Sequence, residues 1–138
     1  MITRDILLPC PPARAFEVFT ERASEWWPAS RRHTADPAST ITISSEGEFS
    51  EAGGGQVVPL GRVLVWEPPT RLVLEFYPGT GPEHPTEATI TFAQEGDGTR
   101  VRVDHRPTPR SQELWDLRAP RFEASWESVL AALAEATS

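Results

Sequence analysis

The stretch that decides the fold is Gly61–Phe76, GRVLVWEPPTRLVLEF, in which two runs of alternating apolar residues flank the segment Glu67–Thr70. Proline has no N–H group to donate to a sheet ladder, so Pro68 and Pro69 end the first run and mark a chain reversal. Alternation with a period of two is typical of a half-buried strand. The stretch therefore predicts an antiparallel hairpin with one face on a core and the other toward water.

The register of this hairpin follows if Trp66 lies opposite Arg71. It then pairs Leu64 with Val73 and Arg62 with Glu75 on the outer face, and Val65 with Leu72 and Val63 with Leu74 on the inner face. The outer face carries an ion pair between Arg62 and Glu75, whereas the inner face is wholly apolar. An apolar sheet face needs a cover, and the cover determines what the protein can hold.

Alternation continues through most of the segment Thr40–Arg106 and predicts about six strands in antiparallel succession. The six segments with this pattern are Ile41–Ile43, a strand around Phe49, Gln56–Leu60, the hairpin itself, Thr86–Glu95 and Thr99–Arg106. Turns are expected at Gly53–Gly55 and at Glu95–Gly98. The second hairpin is expected to pair Phe92 with Val101, Ile90 with Val103 and Ala88 with His105.

Helical patterns lie on both sides of these strands. The chain begins with a strand at Ile2–Leu8, followed by short helices at Ala13–Thr20 and Glu21–Trp27. Apolar residues at helical spacing predict a long C-terminal helix over Arg121–Ala136. Ser111–Leu117 also has helical character, and we expect Pro120 to kink or break the helix between the two segments.

The composition excludes several classes of function. A net charge of -7 and a pI near 4.9 disfavour nucleic-acid binding, since such proteins concentrate positive charge. All 13 basic residues are arginine, and the absence of lysine excludes Schiff-base catalysis. Cys10 is the only cysteine, and no apolar segment reaches the ~20 residues of a membrane span. We expect one cytoplasmic domain over residues 1–138 without a cofactor, with Arg31–His33 as a solvent-exposed loop.

Four stretches together resemble the SRPBCC, or START-like, superfamily. They are FEVFTERASEWWP at Phe16–Pro28, GRVLVWEPPTRL at Gly61–Leu72, GTRVRVDH at Gly98–His105 and SWESVLAAL at Ser125–Leu133. Within the superfamily they are similar to the branch of homologs of the activator of the ninety-kilodalton heat-shock ATPase. The resemblance implies an α+β helix-grip fold: a curved antiparallel sheet of six to seven strands around a long C-terminal helix, with two short helices after the first strand.

The resemblance also implies a cavity between the sheet and the C-terminal helix. Its expected lining is Trp26, Trp27, Val63, Leu74, Phe76, Ile90, Phe92, Val103, His105, Leu114, Phe122 and Trp126. Such cavities hold apolar ligands with a few polar anchors. Alternatively, the same residues interdigitate and fill a core at normal packing density.

His105 is the ionisable residue whose strand phase points it into the apolar face. A histidine there can exchange a proton with a ligand head group. Alternatively, it is a buried neutral imidazole bonded to a backbone carbonyl or a helix residue. His33 and His84 lie in predicted loops, and the three histidines have no metal-ligand spacing, so we expect no metal site.

Three functions are compatible with these residues. The leading hypothesis is a small-molecule binding module for an apolar or aromatic metabolite or a lipid, with His105 or arginines at the mouth fixing its polar end. The second is an enzyme of the polyketide cyclase, dehydratase or hydrolase type with His105 as its acid–base residue. The third, from the resemblance, is a co-chaperone-like activator acting through an outer patch of Leu64, Trp66 and Val73, which can equally mediate homodimerisation.

Overall fold

The computed structural model describes residues 1–138 and contains seven strands and three α-helices. The strands are β1 (Ile2–Leu8), β2 (Thr40–Ile43), β3 (Glu48–Gly53), β4 (Gln56–Glu67), β5 (Arg71–Phe76), β6 (Thr86–Glu95) and β7 (Gly98–Pro107). The helices are α1 (Pro12–Thr20), α2 (Ala23–Trp26) and α3 (Gln112–Thr137), and a short 3-10 turn covers Ala29–Arg31. No helix combines the length and the apolar character needed to span a membrane.

All strands form one antiparallel sheet in the order β1-β7-β6-β5-β4-β3-β2. The two short helices and α3 cover its apolar face, and their side chains join those of the strands in one core. From α3 the core receives Trp115, Phe122, Trp126, Val129, Leu130 and Leu133. This arrangement is the helix-grip fold, so the predicted fold class is confirmed.

The β6–β7 hairpin has the register that the sequence predicts. Phe92 lies opposite Val101, Ile90 opposite Val103, and Ala88 opposite His105. The two strands are joined through Gly96 and Asp97. The predicted strand Gln56–Leu60 and the first arm of the other hairpin form the single strand β4 rather than two strands.

The predicted register of the β4–β5 hairpin is correct only in its half away from the turn. Arg62 lies opposite Glu75 and Val63 opposite Leu74, but Glu67 then pairs with Arg71 across a turn of three residues. The shorter turn leaves Leu64 without a partner as a β-bulge. The bulge reverses the alternation beyond it, and the predicted pairing of Trp66 with Arg71 is wrong.

This bulge also removes the predicted outer patch. Trp66 packs against the core, with its ring 5.1 Å from that of Phe16. Val73 is buried, and of the three residues only Leu64 is exposed. The sheet therefore presents no contiguous apolar surface made of Leu64, Trp66 and Val73.

The predicted helix segments Ser111–Leu117 and Arg121–Ala136 form one continuous helix, α3, with Pro120 inside it. Pro120 cannot donate the backbone hydrogen bond that would reach back four residues. Trp115 on one side of the proline and Phe122 on the other are both buried. Core packing on both sides thus outweighs the missing bond. A break at Pro120 is therefore wrong, whereas the alternative of one longer helix through Pro120 agrees with the structure.

Candidate ligand cavity

A cavity of about 370 Å³ lies between strands β3, β4 and β5 and the middle of α3. Its wall consists of Trp27, Ser30, Arg31, Arg32, His33, Phe49, Leu60, Phe76, Pro78, Gly79, Arg118, Arg121, Phe122, Ser125, Trp126 and Val129. Small-molecule sites occupy roughly 300–1,000 Å³, so this volume suits a small organic ligand.

One part of the wall is aromatic. The Phe76 ring lies 5.5 Å from that of Trp126 and 6.1 Å from that of Phe122, and the Phe49 ring lies 6.0 Å from that of Phe76. Trp27 extends this wall from the other side, 6.4 Å from Phe49. Offset and edge-on aromatic groups of this kind can hold a flat or apolar molecule through dispersion and burial of its surface.

The other part of the wall is basic. Arg31 and Arg32 come from the segment after α2, and Arg118 and Arg121 come from α3. No aspartate or glutamate is among the lining residues. Arg31 and Arg32 are half-buried, so the prediction of a solvent-exposed loop holds only for the neighbouring His33.

Arg32 has a structural role, unlike the other arginines of the wall. Its guanidinium group donates to the carbonyl oxygens of Ser24, Trp27 and Ser39 at 2.6–3.2 Å. Backbone carbonyls around the whole guanidinium group fix its position. Arg32 therefore fastens the segment after α2 to β2 and leaves little donor capacity for a ligand.

Glu51 on β3 also holds the segment after α2 in place. Its side chain is completely buried, and its two carboxylate oxygens accept the backbone N–H groups of His33 and Thr34, each at 2.8 Å. Burial, the largest effect, raises the pKa of this carboxyl group, but the hydrogen bonds that it accepts, chiefly from the two backbone N–H groups, together outweigh burial and the pKa is lowered. Glu51 is thus held as a carboxylate beneath the basic wall.

We predict that Glu51→Gln loosens the basic segment. The amide of glutamine presents an NH2 group to one of the two backbone N–H donors, so that donor loses its acceptor, at a cost of about 1–3 kcal/mol in the free energy of unfolding. Hydrogen exchange should accelerate at the amides of His33 and Thr34. Glu46→Gln, at an exposed position, is the control. Unchanged exchange at both amides would show that Glu51 does not anchor the segment.

His105 lies behind the cavity wall and is one member of a linear series of hydrogen bonds between protein groups. The indole N–H of Trp126 donates to its Nδ1 at 3.0 Å, so the ring proton of a neutral imidazole sits on Nε2. Nε2 lies 2.7 Å from Thr86 Oγ1, whose hydroxyl donates to the Phe76 carbonyl at 3.0 Å. Burial, and secondarily the N-terminal ammonium group, lower the pKa of His105 to about 3.

This environment corresponds to the second interpretation of His105, a neutral imidazole bonded to a helix residue. The ring is completely buried and does not line the cavity. Both of its nitrogen atoms are already engaged by protein side chains. A group with these partners and a pKa of about 3 is unsuited to proton transfer near neutral pH.

Four of the twelve predicted lining residues lie on the cavity wall: Trp27, Phe76, Phe122 and Trp126. The other eight do not: Trp26, Val63, Leu74, Ile90, Phe92, Val103, His105 and Leu114. Most of these eight are packed in the core, as for Trp26, whose indole N–H donates to the Val18 carbonyl at 2.7 Å. The sheet is therefore filled on the β6–β7 side and open on the β3–β5 side.

Two arginines of the wall, and the acid that holds the segment beside it, were not predicted from the sequence, although each leaves a pattern. Arg118 and Arg121 continue the stripe of Phe122, Ser125 and Val129 at helical spacing. Basic residues that continue an apolar stripe by one turn of the helix indicate that the entrance of the cavity is polar. Glu51 stands two residues after the buried Phe49 on one strand, and a period of two places it inside. No group of three or more His, Cys, Asp or Glu side chains that could hold a metal ion occurs.

A curved antiparallel sheet gripping a long C-terminal helix defines the class: this is an SRPBCC-type helix-grip domain. A family model described as activator of Hsp90 ATPase homolog 1-like protein, AHSA1, matches residues 9–138. The chain therefore belongs to the AHSA1 family. No curated protein matches its sequence.

Solved structures share the fold at low sequence identity. Protein NE0264 from Nitrosomonas europaea has a TM-score of 0.68 at 17% identity, with 97% of this chain and 91% of that chain covered. The Aha1 dimer from Colwellia psychrerythraea has a TM-score of 0.63 at 15% identity, covering 99% and 94%. DynU16, a protein from the dynemicin biosynthetic locus, has a TM-score of 0.62 at 20% identity and covers 97% of this chain. The chain spans only 45% of the length of DynU16.

Proposed function

We propose that this chain is a small-molecule binding module that holds an apolar or aromatic metabolite or a lipid in the cavity between β3–β5 and α3. The observation that carries the proposal is the cavity of about 370 Å³ with an aromatic wall. Space of this size beside Trp27, Phe76 and Trp126 is left unfilled in an otherwise packed core, which favours a site over a filled interior. The proposal includes two further points: residues 1–138 form a single ligand-binding domain, and its location is cytoplasmic.

The first test fills the cavity. Ser125 lies half-buried on the wall, and Ser125→Phe places a ring in the space that a ligand would occupy. The neutral fluorescent probe N-phenyl-1-naphthylamine should bind the native protein with increased emission. We expect the affinity of Ser125→Phe for this probe to fall at least about tenfold, because the added ring excludes the probe from its apolar contacts.

Controls separate a blocked site from a damaged fold. Leu117→Phe adds the same kind of ring on α3 at an exposed position outside the cavity and should bind as the native protein does. Ser30→Trp blocks the cavity from the exposed 3-10 turn, where the fold tolerates bulk. Circular dichroism should report native helix content for all three variants. Equal probe binding by native protein and both blocked variants would show that the cavity is not the site.

Neither alternative function is supported by the residues that it was expected to use. An enzyme that uses His105 needs the imidazole at the cavity, but Trp126 and Thr86 enclose it behind the wall. A co-chaperone role through the outer patch needs Trp66 on the outer face, but Trp66 packs against Phe16. Homodimerisation of this chain stays a prediction, for which Leu64 alone offers no adequate apolar surface.

A further inference from the structure

We propose that the cavity selects a molecule whose apolar body ends in an oxyanion, either a carboxylate or a phosphate monoester, and that Arg31 and Arg118 recognise this group. The inference rests on the proposed function, because it names the chemistry of the ligand for the same site.

Most arginines of this chain are paired with carboxylates. Eight form salt bridges: Arg4, Arg14, Arg22, Arg62, Arg71, Arg100, Arg102 and Arg106. Five form none: Arg31, Arg32, Arg110, Arg118 and Arg121. Four of these five line the cavity. In a chain of net charge -7, acidic partners are abundant, yet the arginines without one are concentrated at this cavity.

Two of the four arginines also have unpaired donors away from solvent. The Nε atoms of Arg31 and Arg118 are buried and have no hydrogen-bond partner, and the protein has only one other such side-chain atom, Thr34 Oγ1. The hydrogen bond that Arg31 makes to Ser128 Oγ is long, at 3.5 Å. Buried polar groups are normally satisfied, so an unpaired guanidinium donor at a cavity indicates a partner that arrives from outside.

No internal carboxylate competes for these groups. The buried acid of the neighbouring β3, Glu51, has both oxygens bound to the backbone N–H groups of His33 and Thr34. The cavity wall therefore keeps an uncompensated positive charge. A guanidinium group presents its donors in a planar fork that matches the oxygens of a carboxylate or a phosphate. The aromatic wall of Phe76 and Trp126 faces the same space and suits the apolar remainder of the ligand.

The test compares probes that share a shape and differ in charge. Isothermal titration calorimetry would use 1-naphthaleneacetate, its neutral isostere 1-naphthaleneacetamide, and 1-naphthyl phosphate. We expect the native protein to bind at least one of the two anions about 10- to 100-fold more tightly than the amide, since the amide leaves a guanidinium donor unpaired. The tighter anion identifies the carboxylate or the phosphate monoester as the preferred group.

The double variant Arg31→Gln/Arg118→Gln should lose this preference, with the anion and the amide binding within about twofold of each other. Arg71→Gln/Arg110→Gln removes the same net charge outside the cavity and should keep the preference. This control separates local recognition from the overall field of the protein.

The outcomes distinguish the two proposals. If the native protein binds the amide and both anions equally, or if the double variant keeps the preference, oxyanion selection is wrong while the binding module stands. If neither the naphthalene probes nor N-phenyl-1-naphthylamine binds, the binding module is wrong and the inference falls with it. Loss of preference in the Arg71→Gln/Arg110→Gln control as well would also overturn the inference, because net charge would then explain the selectivity.

Discussion

Acidification from pH 6.5 to about pH 4.5 should lower the free energy of unfolding by about 2.3 kcal/mol through His105 alone. Its pKa is lowered from 6.5 to about 3 in the folded protein. At a pH between these two pKa values, His105 is protonated in the unfolded chain but stays neutral in the folded protein. Well inside this window, each pH unit of acidification lowers the free energy of unfolding by about 1.4 kcal/mol. The histidine causes no loss of stability above the pKa of the unfolded state, where it is neutral in both states.

The surroundings of the imidazole explain why it resists a proton. Its ring contacts the aromatic rings of Phe76, Trp115, Phe122 and Trp126, with centroid distances of 4.6–5.9 Å. Protonation would place a charge among these rings and put a hydrogen on Nδ1, which already accepts from Trp126. The N-terminal ammonium group adds a smaller repulsion. No carboxylate bonds to the ring to offset these effects.

Urea unfolding at a series of pH values would measure the slope. The variant His105→Gln keeps a neutral hydrogen-bonding group that does not titrate, so its average slope between pH 6.5 and about pH 4.5 should be flatter by about 1.2 kcal/mol per pH unit. In the native protein, nitrogen chemical shifts should show a neutral His105 ring with the proton on Nε2 at pH 5, whether or not the variant folds. A charged ring at that pH would refute the prediction. Below pH 4.5, protonation of Glu51, whose pKa is also lowered, adds to the loss.

The inward direction of His105 illustrates what the sequence could predict. Its strand phase and the register of the β6–β7 hairpin are local properties, fixed by alternation and by a two-residue turn at Gly96 and Asp97. The partner of the ring, Trp126, lies 21 residues away on another element. The strand phase indicates toward which face of the sheet a side chain points. Whether that face is filled by other side chains or left open depends on the packing of α3.

The basic wall could not be predicted for a related reason. Arg31 and Arg118 lie 87 positions apart in the chain, and only the docking of α3 against the segment after α2 brings them to one cavity. With every basic residue an arginine, composition gives none of them special weight. What distinguishes these two is the lack of a carboxylate partner and the burial of their Nε atoms, and both are properties of the folded protein.

The β4–β5 hairpin shows the limit within a single motif. The sequence predicts that the chain reverses at Pro68 and Pro69, but it does not determine whether the turn has three or four residues. The three-residue turn shifts the pairing by one position, and the bulge at Leu64 restores the register of Arg62 with Glu75. The next residue, Gly61 on β4, lies opposite Phe49 on β3 and opposite Phe76 on β5.

Replacing Gly61 by alanine should destabilise the fold by at least about 3 kcal/mol. A Cβ atom at this position would lie 1.8 Å from the backbone oxygen of Glu75 on β5 and 3.0 Å from the Phe49 ring on β3. The oxygen belongs to the sheet backbone and cannot turn aside as a flexible side chain can. Relief of the clash requires β4 and β5 to separate at Arg62 and Glu75, with loss of ladder hydrogen bonds.

Urea unfolding of Gly61→Ala would measure this loss, and Gly81→Ala provides the matched control. Gly81 has a φ of +84° and no atom within 4 Å of an added Cβ, so alanine there incurs only the left-handed backbone cost of about 1–2 kcal/mol. The difference between the variants isolates the steric term. Because the neighbouring Leu60 lines the cavity, Gly61→Ala should also weaken binding of N-phenyl-1-naphthylamine, whereas Gly81→Ala should not. Equal stabilities of the two variants would contradict the close approach of β4 and β5 at Gly61.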